Sequence, residues 1–385
     1  RVDTVKGLVS YESLITWWYC ILRTEQIKFL FVFRCVEYMN DGDTFSGPIL
    51  FCDLDGTLLP HVYNTADGSL RTPTFKEGPA FPHIIQWLQL GGRLVAVTGS
   101  SPSTHTERFW DDIPRQLCGN RQVLFAVDTG ASLYLQDPNG SLVEDELYFH
   151  HNFPKGCGFS TEQVQGLIDV GKDAIAEFYA DLKSNPSLIK DSKLFHLRTK
   201  SQEIAPMSVP TSSDVNQFPR VELRSAGVVF VGIPVSLCER YYEARLNLLG
   251  FPMECKPAGR LCYDILPPGT GKHLVMDWVL GKAAGHEDDA SAPCHAVAFG
   301  DRPKGNDAGL TARHSKGVPF VSVCELDAEV PDHVRSHHVG RNVEGAARVL
   351  AELVLQIETN GASTHIDVTA AVALAREKLL LEPCH

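Results

Sequence analysis

The stretch that decides the fold is residues 46–60, SGPILFCDLDGTLLP. Its apolar run at 49–52 predicts a buried parallel strand, which ends in two carboxylates, Asp53 and Asp55, before Gly56 and Thr57 force a turn. Side chains two residues apart on a strand project to the same side. Because open α/β sheets bind ligands at the carboxyl ends of their strands, we expect the two acids to share one small volume.

The two acids also predict a chemistry. Carboxylates that close repel each other unless a cation or a proton lies between them, and a divalent, oxygen-preferring ion such as Mg²⁺ suits the place. One acid can then act as a nucleophile and the other as a general acid and base. A turn with two merely solvated acids is the alternative that this pair alone leaves open.

The segment 53–58, DLDGTL, resembles motif I of the haloacid dehalogenase-like (HAD) superfamily of phosphohydrolases. The resemblance implies that Asp53 is the nucleophile that forms an aspartyl-phosphate. It implies that Asp55 protonates the leaving group and then activates water. It also implies a Mg²⁺ ion held by Asp53, the backbone carbonyl of Asp55, and Asp301.

A second apolar run, 93–97, ends in Thr98, Gly99 and Ser100. A hydroxyl can donate to a phosphate oxygen there, and glycine lets the backbone approach closely. The segment is similar to HAD motif II, which implies that Thr98 and Gly99 bind the transferring phosphoryl group. Many relatives carry arginine where this chain has Ser100. The alternative is a plain junction between a strand and a helix, since residues 100–103, SSPS, also form a good helix start.

Lys272 lies at the start of a predicted helix, where the helix dipole disfavours a lysine. An ammonium group beside a helix N-terminus forms an anion site. The segment 267–278 resembles HAD motif III, which implies that Lys272 neutralises the nucleophile and the phosphoryl oxygens. A solvated lysine is the alternative when the other motifs are left aside.

The apolar run 296–299 precedes GDRPKGND at 300–307. It resembles HAD motif IV, whose usual form has two variable residues between Gly-Asp and Asn-Asp. Here four residues, 302–305, separate Asp301 from Asn306. Asp301 is therefore expected to meet the metal because it is fixed to the strand end. Asn306 and Asp307 are expected only to support the metal or the loop.

The pattern of elements predicts an α/β fold with a doubly wound, mainly parallel Rossmann-like core. The resemblance implies an inserted α/β cap of the C2 type, because the extra segment falls between motifs II and III. The core is predicted at 47–132 and 267–350, and the cap at 133–266. Within the cap, helical patterns occur at 161–182 and 237–249, and strand patterns at 221–223, 228–231 and 261–266. Residues 1–46 are an N-terminal extension of unknown role, and residues 351–385 a helical tail that packs on the core or binds a partner.

Composition excludes several classes of function. The net charge of −12 argues against nucleic acid as the main partner, because phosphate backbones need a basic surface. No uncharged run reaches the ~20 residues of a membrane span. The eleven cysteines are scattered without a Cys-x-x-Cys pair, which favours free thiols in a reducing cytoplasm. Organellar targeting or membrane-surface contact by the aromatic-rich extension at 1–46 is the alternative for localisation.

The resemblance, which is closest to the type IIB branch with Cof-like and sugar-phosphate phosphatases, implies a Mg²⁺-dependent phosphatase. Its expected substrate is a sugar phosphate or a similar small phosphorylated metabolite. Arg224, Lys256 and Arg260 are candidate cap contacts for the leaving group, with ordinary surface charge as the alternative. Two other functions stay open: a phosphosugar mutase of the same fold, and a catalytically reduced binding or regulatory protein. The sequence gives no prediction of the oligomeric state.

Overall fold

The computed structural model describes residues 47–381, apart from 62, 65–69, 72, 138, 154–157, 191–193, 195–196, 198–218, 259–260, 284–294, 315–316 and 362–365. The N-terminal extension, Arg260 and most of residues 183–220 lie outside the described residues. None of the helices in the described part of the chain has both the length and the apolar character that crossing a membrane requires. The described cysteines are free thiols, namely Cys52, Cys118, Cys238, Cys255, Cys262 and Cys324.

A seven-stranded sheet forms the centre of the fold, with the order β13-β12-β1-β4-β5-β6-β7. The pairs from β13 to β5 are parallel, whereas β6 and β7 are antiparallel additions at one edge. The strands are β1 (Ile49–Asp53), β4 (Arg93–Val97), β5 (Val123–Val127), β6 (Ser132–Gln136), β7 (Leu142–Glu144), β12 (Ala296–Gly300) and β13 (Phe320–Ser322). The predicted α/β class with a mainly parallel sheet is confirmed.

Every residue of β1, β4, β5 and β12 is buried, so both faces of the sheet are covered. This explains why their sequences read as continuous apolar runs rather than as alternating patterns. One face of the sheet packs against three helices, and together they form the largest apolar cluster among the described residues. These are α1 (Phe81–Gln89), α8 (Asn342–Asn360) and α9 (Val368–Leu381). The predicted tail helix therefore packs into the core through Val368, Ala371 and Val372.

A second sheet, antiparallel with the order β10-β11-β9-β8, forms within the predicted cap. Its strands are β8 (Arg220–Arg224), β9 (Gly227–Val231), β10 (Glu254–Pro257) and β11 (Cys262–Leu266). The 24-residue helix α4 (Thr161–Ser184) packs on this sheet in a separate apolar cluster. The strand patterns at 221–223, 228–231 and 261–266 each coincide with a strand, whereas β10 was not predicted.

The edge of the first sheet differs from the expected segment boundary. Residues 132–144 form the hairpin of β6 and β7 on the same sheet as β1, although 133 is the predicted start of the cap. Similarly, α8 continues without a break through the predicted core end at 350. The division into a core and a cap stays a prediction.

The remaining elements are short. Two strands, β2 (Tyr63–Asn64) and β3 (Leu70–Arg71), pair in a small hairpin after the first motif. The other helices are α2 (Pro102–His105), α3 (Glu146–Asn152), α5 (Ala244–Leu248), α6 (His273–Ala283) and α7 (Ala308–Thr311). The predicted helix at 237–249 is irregular, since a turn of π-helix at Glu239–Glu243 precedes α5.

Candidate active site

Three of the sequence motifs follow adjacent strands, because β1 lies between β12 and β4. Asp53 ends β1, Thr98 follows β4, and Asp301 follows β12. The remaining motif, motif III, supplies Lys272, the residue before α6. Parallel strands bring their carboxyl ends to one edge of the sheet, so this arrangement places all four motifs around one region. The topology therefore agrees with the predicted mainly parallel α/β core and its site at the carboxyl ends of the strands.

The turn after β1 depends on Gly56. Its φ of +86° lies in the left-handed region, and a Cβ there would collide with the carboxylate of Asp301 and the ring of His61. Thr57 donates its hydroxyl hydrogen to Oδ2 of Asp53 at 3.3 Å. The turn thus brings the first and fourth motifs into contact, which only glycine permits.

The centre of the site is a carboxylate cluster formed by Asp53, Asp301 and Asp307. All three side chains are buried, and one oxygen of each lies within 4.8 Å of the others. Burial, followed by the charge of Asp307, raises the pKa of Asp53 well above its usual range despite the nearby Lys272. Burial also raises the pKa of Asp301. The cluster therefore holds more negative charge than its surroundings compensate.

Lys272 is the cation inside this cluster, and its side chain is 0% exposed. It donates to Oδ1 of Asp53 and, at 2.6 Å, to Oδ1 of Asp307. Burial lowers the pKa of Lys272, but the charges of Asp307 and Asp53 outweigh burial and raise the pKa above its ordinary value. Because the cluster has three carboxylates and one ammonium group, a further cation would balance its charge. The cluster therefore fits a divalent, oxygen-preferring ion.

The lengthened loop after β12 brings Asp307 back to the strand end. The amide of Arg302 donates to Oδ2 of Asp307 at 2.8 Å, and the amide of Asp307 donates to the carbonyl of Arg302 at 3.1 Å. A Cβ on Gly300 would collide with the Asp307 carboxylate. The two extra residues therefore do not displace this acid, which belongs to the cluster itself.

Thr98 and Gly99 line the neighbouring strand end. Thr98 is buried, and its hydroxyl accepts the amide of Ser100 at 3.1 Å. A Cβ on Gly99 would lie 3.5 Å from Nδ2 of Asn306 and 3.6 Å from the Thr129 hydroxyl. The carbonyl oxygen of the Asn306 amide is buried and has no hydrogen-bond partner among the described residues. Asn306 therefore lies beside Gly99 rather than in the carboxylate cluster.

Asp55 lies outside the cluster and beside two basic side chains, of His105 and Arg108, that the sequence reading missed. His105 Nε2 lies 3.0 Å from Oδ2 of Asp55, and Arg108 Nη1 lies 3.2 Å from Oδ1. Burial acts to raise the pKa of Asp55, but His105 and then Arg108 hold it well below the usual range. A histidine and an arginine three residues apart, just after a strand that carries a motif, were the available sequence signal.

His61 is a second group that the sequence reading missed. Its Nε2 lies 3.3 Å from Oδ2 of Asp301, while Arg302 approaches the same oxygen at 3.7 Å. His61 is half exposed, so it faces the open side of the cluster. The sequence reading gave no role to this histidine because the motif resemblance ends at residue 58.

Residues 128–129 and 224–225 connect the two sheets. The Asp128 carboxylate accepts hydrogen bonds from the amide and the hydroxyl of Ser225, the amide at 2.9 Å. Arg224 approaches Asp128 at 3.5 Å and Glu222 at 2.9 Å, so this predicted leaving-group contact already has two acidic partners. Lys256 likewise pairs with Glu254 at 2.7 Å.

Asp264, on β11, is a further buried acid near the site. Its Oδ2 accepts the Thr129 hydroxyl hydrogen at 3.1 Å and lies 3.8 Å from the place of a Cβ on Gly99. Burial raises its pKa to about 6, against the partly opposing charge of Arg224 and the bond from Thr129. The second sheet therefore brings a carboxyl group to the region of Thr98 and Gly99.

No protein-family model matches the chain, and no curated protein matches it. Among solved structures it is similar to an N-terminally truncated, IMP-bound IMP-nucleotidase of Plasmodium falciparum, with 11% identity, a TM-score of 0.42, and coverage of 68% of this chain and 62% of that one. The chain thus spans less than two thirds of that protein. A Streptococcus mutans protein matches with 15% identity, a TM-score of 0.42, and coverage of 82% and 100%.

A haloacid dehalogenase-like hydrolase protein of Bacillus subtilis matches with 16% identity and a TM-score of 0.40, over 80% of this chain and 93% of that one. Its name is that of the superfamily which the motifs resemble. At such identities and TM-scores we draw no conclusion about activity or substrate from these likenesses.

Proposed function

We propose that this protein is a Mg²⁺-dependent phosphomonoester hydrolase that works through an aspartyl-phosphate on Asp53. The observation that carries the proposal is the buried cluster of Asp53, Asp301 and Asp307 around Lys272, with Asp55 two residues from the nucleophile but outside the cluster. A nucleophilic carboxylate, a cation for the phosphoryl oxygens and a separate acid and base are the parts that this chemistry needs.

The first half-reaction transfers the phosphoryl group to the protein. Asp53 attacks phosphorus, so that a bond forms to its carboxylate oxygen while the bond to the leaving oxygen breaks. Asp55 gives that oxygen a proton, and the substrate leaves as an alcohol. Lys272 and the hydroxyl of Thr98 neutralise the phosphoryl oxygens, with the close approach of backbone that Gly99 permits.

The second half-reaction restores the enzyme. Asp55, now a carboxylate, takes a proton from water, which attacks the aspartyl-phosphate and releases inorganic phosphate and free Asp53. His105 and Arg108 hold the pKa of Asp55 well below its usual range, against the effect of burial. A bound phosphate dianion would favour its protonation for the first half-reaction, because a nearby like charge raises a carboxyl pKa.

The cluster of Asp53, Asp301 and Asp307 would hold Mg²⁺, together with the backbone carbonyl of Asp55. When bound, the ion supplies positive charge to the phosphoryl oxygens and offsets the repulsion among the three acids. Asn306 supports the loop beside Gly99. We propose Asp307 as a metal ligand, although its motif position suggested only a supporting role, because the loop brings its carboxylate into the cluster.

We further propose that residues 133–266 act as a cap that excludes water and recognises the leaving group. The separate apolar cluster of α4 with β8, β9 and β11 supports a unit with its own packing, and the bonds of Ser225 to Asp128 tie it to the core. A sugar phosphate or similar small metabolite is the substrate class that we favour from the family resemblance. Polar groups on Asp264, Thr129 and Asn306 near Gly99 are suited to hydroxyl-bearing leaving groups.

The decisive experiment measures phosphate release from sugar phosphates, phosphoglycerates and nucleotides, with Mg²⁺ and with EDTA. The Asp53→Asn variant runs beside the exposed control Asp169→Asn. We expect Mg²⁺-dependent release from one class of compound, abolished in Asp53→Asn and retained in Asp169→Asn. Transfer of phosphate to a second sugar hydroxyl would establish the mutase instead. A folded protein that releases nothing would refute the hydrolase and favour a binding role.

A further inference from the structure

We propose that Arg108 and His105 are positioning residues for the acid and base step: they hold the Asp55 carboxylate in one orientation, turned away from the carboxylate cluster and toward the leaving group. This inference rests on the proposed function, since it assumes that Asp55 transfers the proton. It adds two residues that lie outside the four motifs.

The contacts fix the carboxylate rather than merely touch it. Arg108 contacts Oδ1 of Asp55 at 3.2 Å, and His105 contacts Oδ2 at 3.0 Å. With one side chain on each oxygen, rotation about the bond between Cβ and Cγ would break one contact or both. The Asp55 side chain stays 33% exposed, so an oxygen can still meet a substrate while both partners hold it.

Both partners are themselves held by the surrounding backbone. Arg108 donates from Nε to the carbonyl of Pro73 at 3.2 Å and from Nη2 to the carbonyl of Pro60 at 3.4 Å. His105 is fully buried in the short helix α2, and its carbonyl accepts the amide of Phe109 at 2.9 Å. Two hydrogen bonds therefore restrain the Arg108 side chain, and complete burial restrains the ring of His105, if the carboxylate turns.

The arrangement separates the two acids of motif I. Asp53 turns toward Lys272 in the buried cluster, whereas Asp55 turns toward Arg108. Without a cation of its own, Asp55 would be free to turn toward the cluster and compete for Lys272 or for a metal ion. A proton donor turned that way cannot reach the leaving oxygen, and small misplacements of a reacting group cost rate steeply.

The inference predicts a dependence on the leaving group. An alkoxide needs a proton to leave, whereas p-nitrophenolate leaves without one. A loss of Asp55 positioning should therefore slow the transfer of the phosphoryl group from an alkyl phosphate to Asp53 and spare the transfer from p-nitrophenyl phosphate. A purely structural ion pair would affect both esters alike.

The test compares both esters across Arg108→Ala, Arg108→Lys and His105→Gln, with Asp55→Asn as the reference and the exposed Arg115→Ala as the control. We expect Arg108→Ala to lower kcat/KM on the alkyl phosphate by about 10- to 100-fold. Its kcat/KM on p-nitrophenyl phosphate should stay near that of the wild type, because kcat/KM reports the transfer to Asp53 and not the later hydrolysis of the aspartyl-phosphate, which both esters share. Arg108→Lys, which keeps the charge, should recover part of the loss, and Arg115→Ala should lose nothing.

His105→Gln tests the other oxygen, so the proposal remains testable if Arg108→Ala does not fold. An equal loss on both esters, or no loss on the alkyl ester in either variant, would overturn the positioning role while leaving the hydrolase intact. If the wild type hydrolyses neither ester, the proposed function fails, and the positioning role fails with it.

Discussion

Replacement of Lys272 by methionine tests the charge balance of the buried cluster. Methionine has a similar unbranched length, so the Lys272→Met change removes the charge with little change in packing. The ammonium group is fully buried and contacts Asp53 and Asp307, and neither acid is more than 5% exposed. Removing one partner of a buried ion pair typically destabilises a protein by about 3–5 kcal/mol, because the other charge stays buried and uncompensated.

The assay is urea unfolding near neutral pH in EDTA, beside the matched control Lys256→Met. Lys256 is 27% exposed and pairs with Glu254, so its loss should cost less than about 1 kcal/mol. Added Mg²⁺ should stabilise Lys272→Met more than the wild type, because the ion would then enter a cluster without a competing ammonium group. A Lys272→Met protein as stable as the Lys256→Met control in EDTA would refute the reasoning. So would a metal response equal to that of the wild type.

Two further predictions concern other parts of the site. Burial raises the pKa of Asp264 from 3.8 to about 6, so between these values the folded protein holds a proton that the unfolded chain has released, and stability falls as pH rises. The Asp264→Asn variant has no such group, so its free energy of unfolding should not show this loss. Measured by urea unfolding, the free energy of unfolding of the variant relative to the wild type should rise by about 3 kcal/mol between about pH 4 and pH 7. A difference that does not change with pH would contradict the assignment. Gly56→Ala should cost about 1–3 kcal/mol in thermal or urea unfolding, because φ is +86° and a Cβ meets Asp301. Gly281→Ala, with open space at the Cβ, is its control, and equal stabilities would refute the strain.

The strands that carry the motifs could be predicted because buried strands have continuous runs of apolar residues in the sequence. A strand covered on both faces is apolar along most of its length, as residues 49–52, 94–97 and 296–299 are. Asp53 and Asp301 followed directly, since each is attached to the end of such a strand. Their closeness then depends on the strand order, which the structure supplies by placing β12 beside β1.

Other residues could not be placed because their positions depend on contacts far along the chain. Asp307 reaches Lys272 only because its loop closes on the amide of Arg302, which no local pattern reveals. Arg108 reaches Asp55 across 53 residues by way of a short helix whose sequence reads as an ordinary helix start. The hairpin of β6 and β7 was missed because residue 133 was predicted to begin the cap, whereas 132–136 pairs with β5 in the first sheet.

The contrast between Asp53 and Asp55 is the strongest argument that this site is built for chemistry rather than for packing. The two carboxyl groups are two residues apart at one strand end, yet their surroundings move their pKa values in opposite directions: burial and Asp307 raise that of Asp53, while His105 and Arg108 lower that of Asp55 against burial. Pairs of acids with pKa values driven apart are typical of sites that assign them separate roles. Asp53 lacks sufficient positive charge for full ionisation and would gain it from a divalent cation. The Asp55 carboxylate is held by Arg108 and His105 instead. Removal of metal should therefore disturb the cluster of Asp53, Asp301 and Asp307 and leave the Asp55 carboxylate in place.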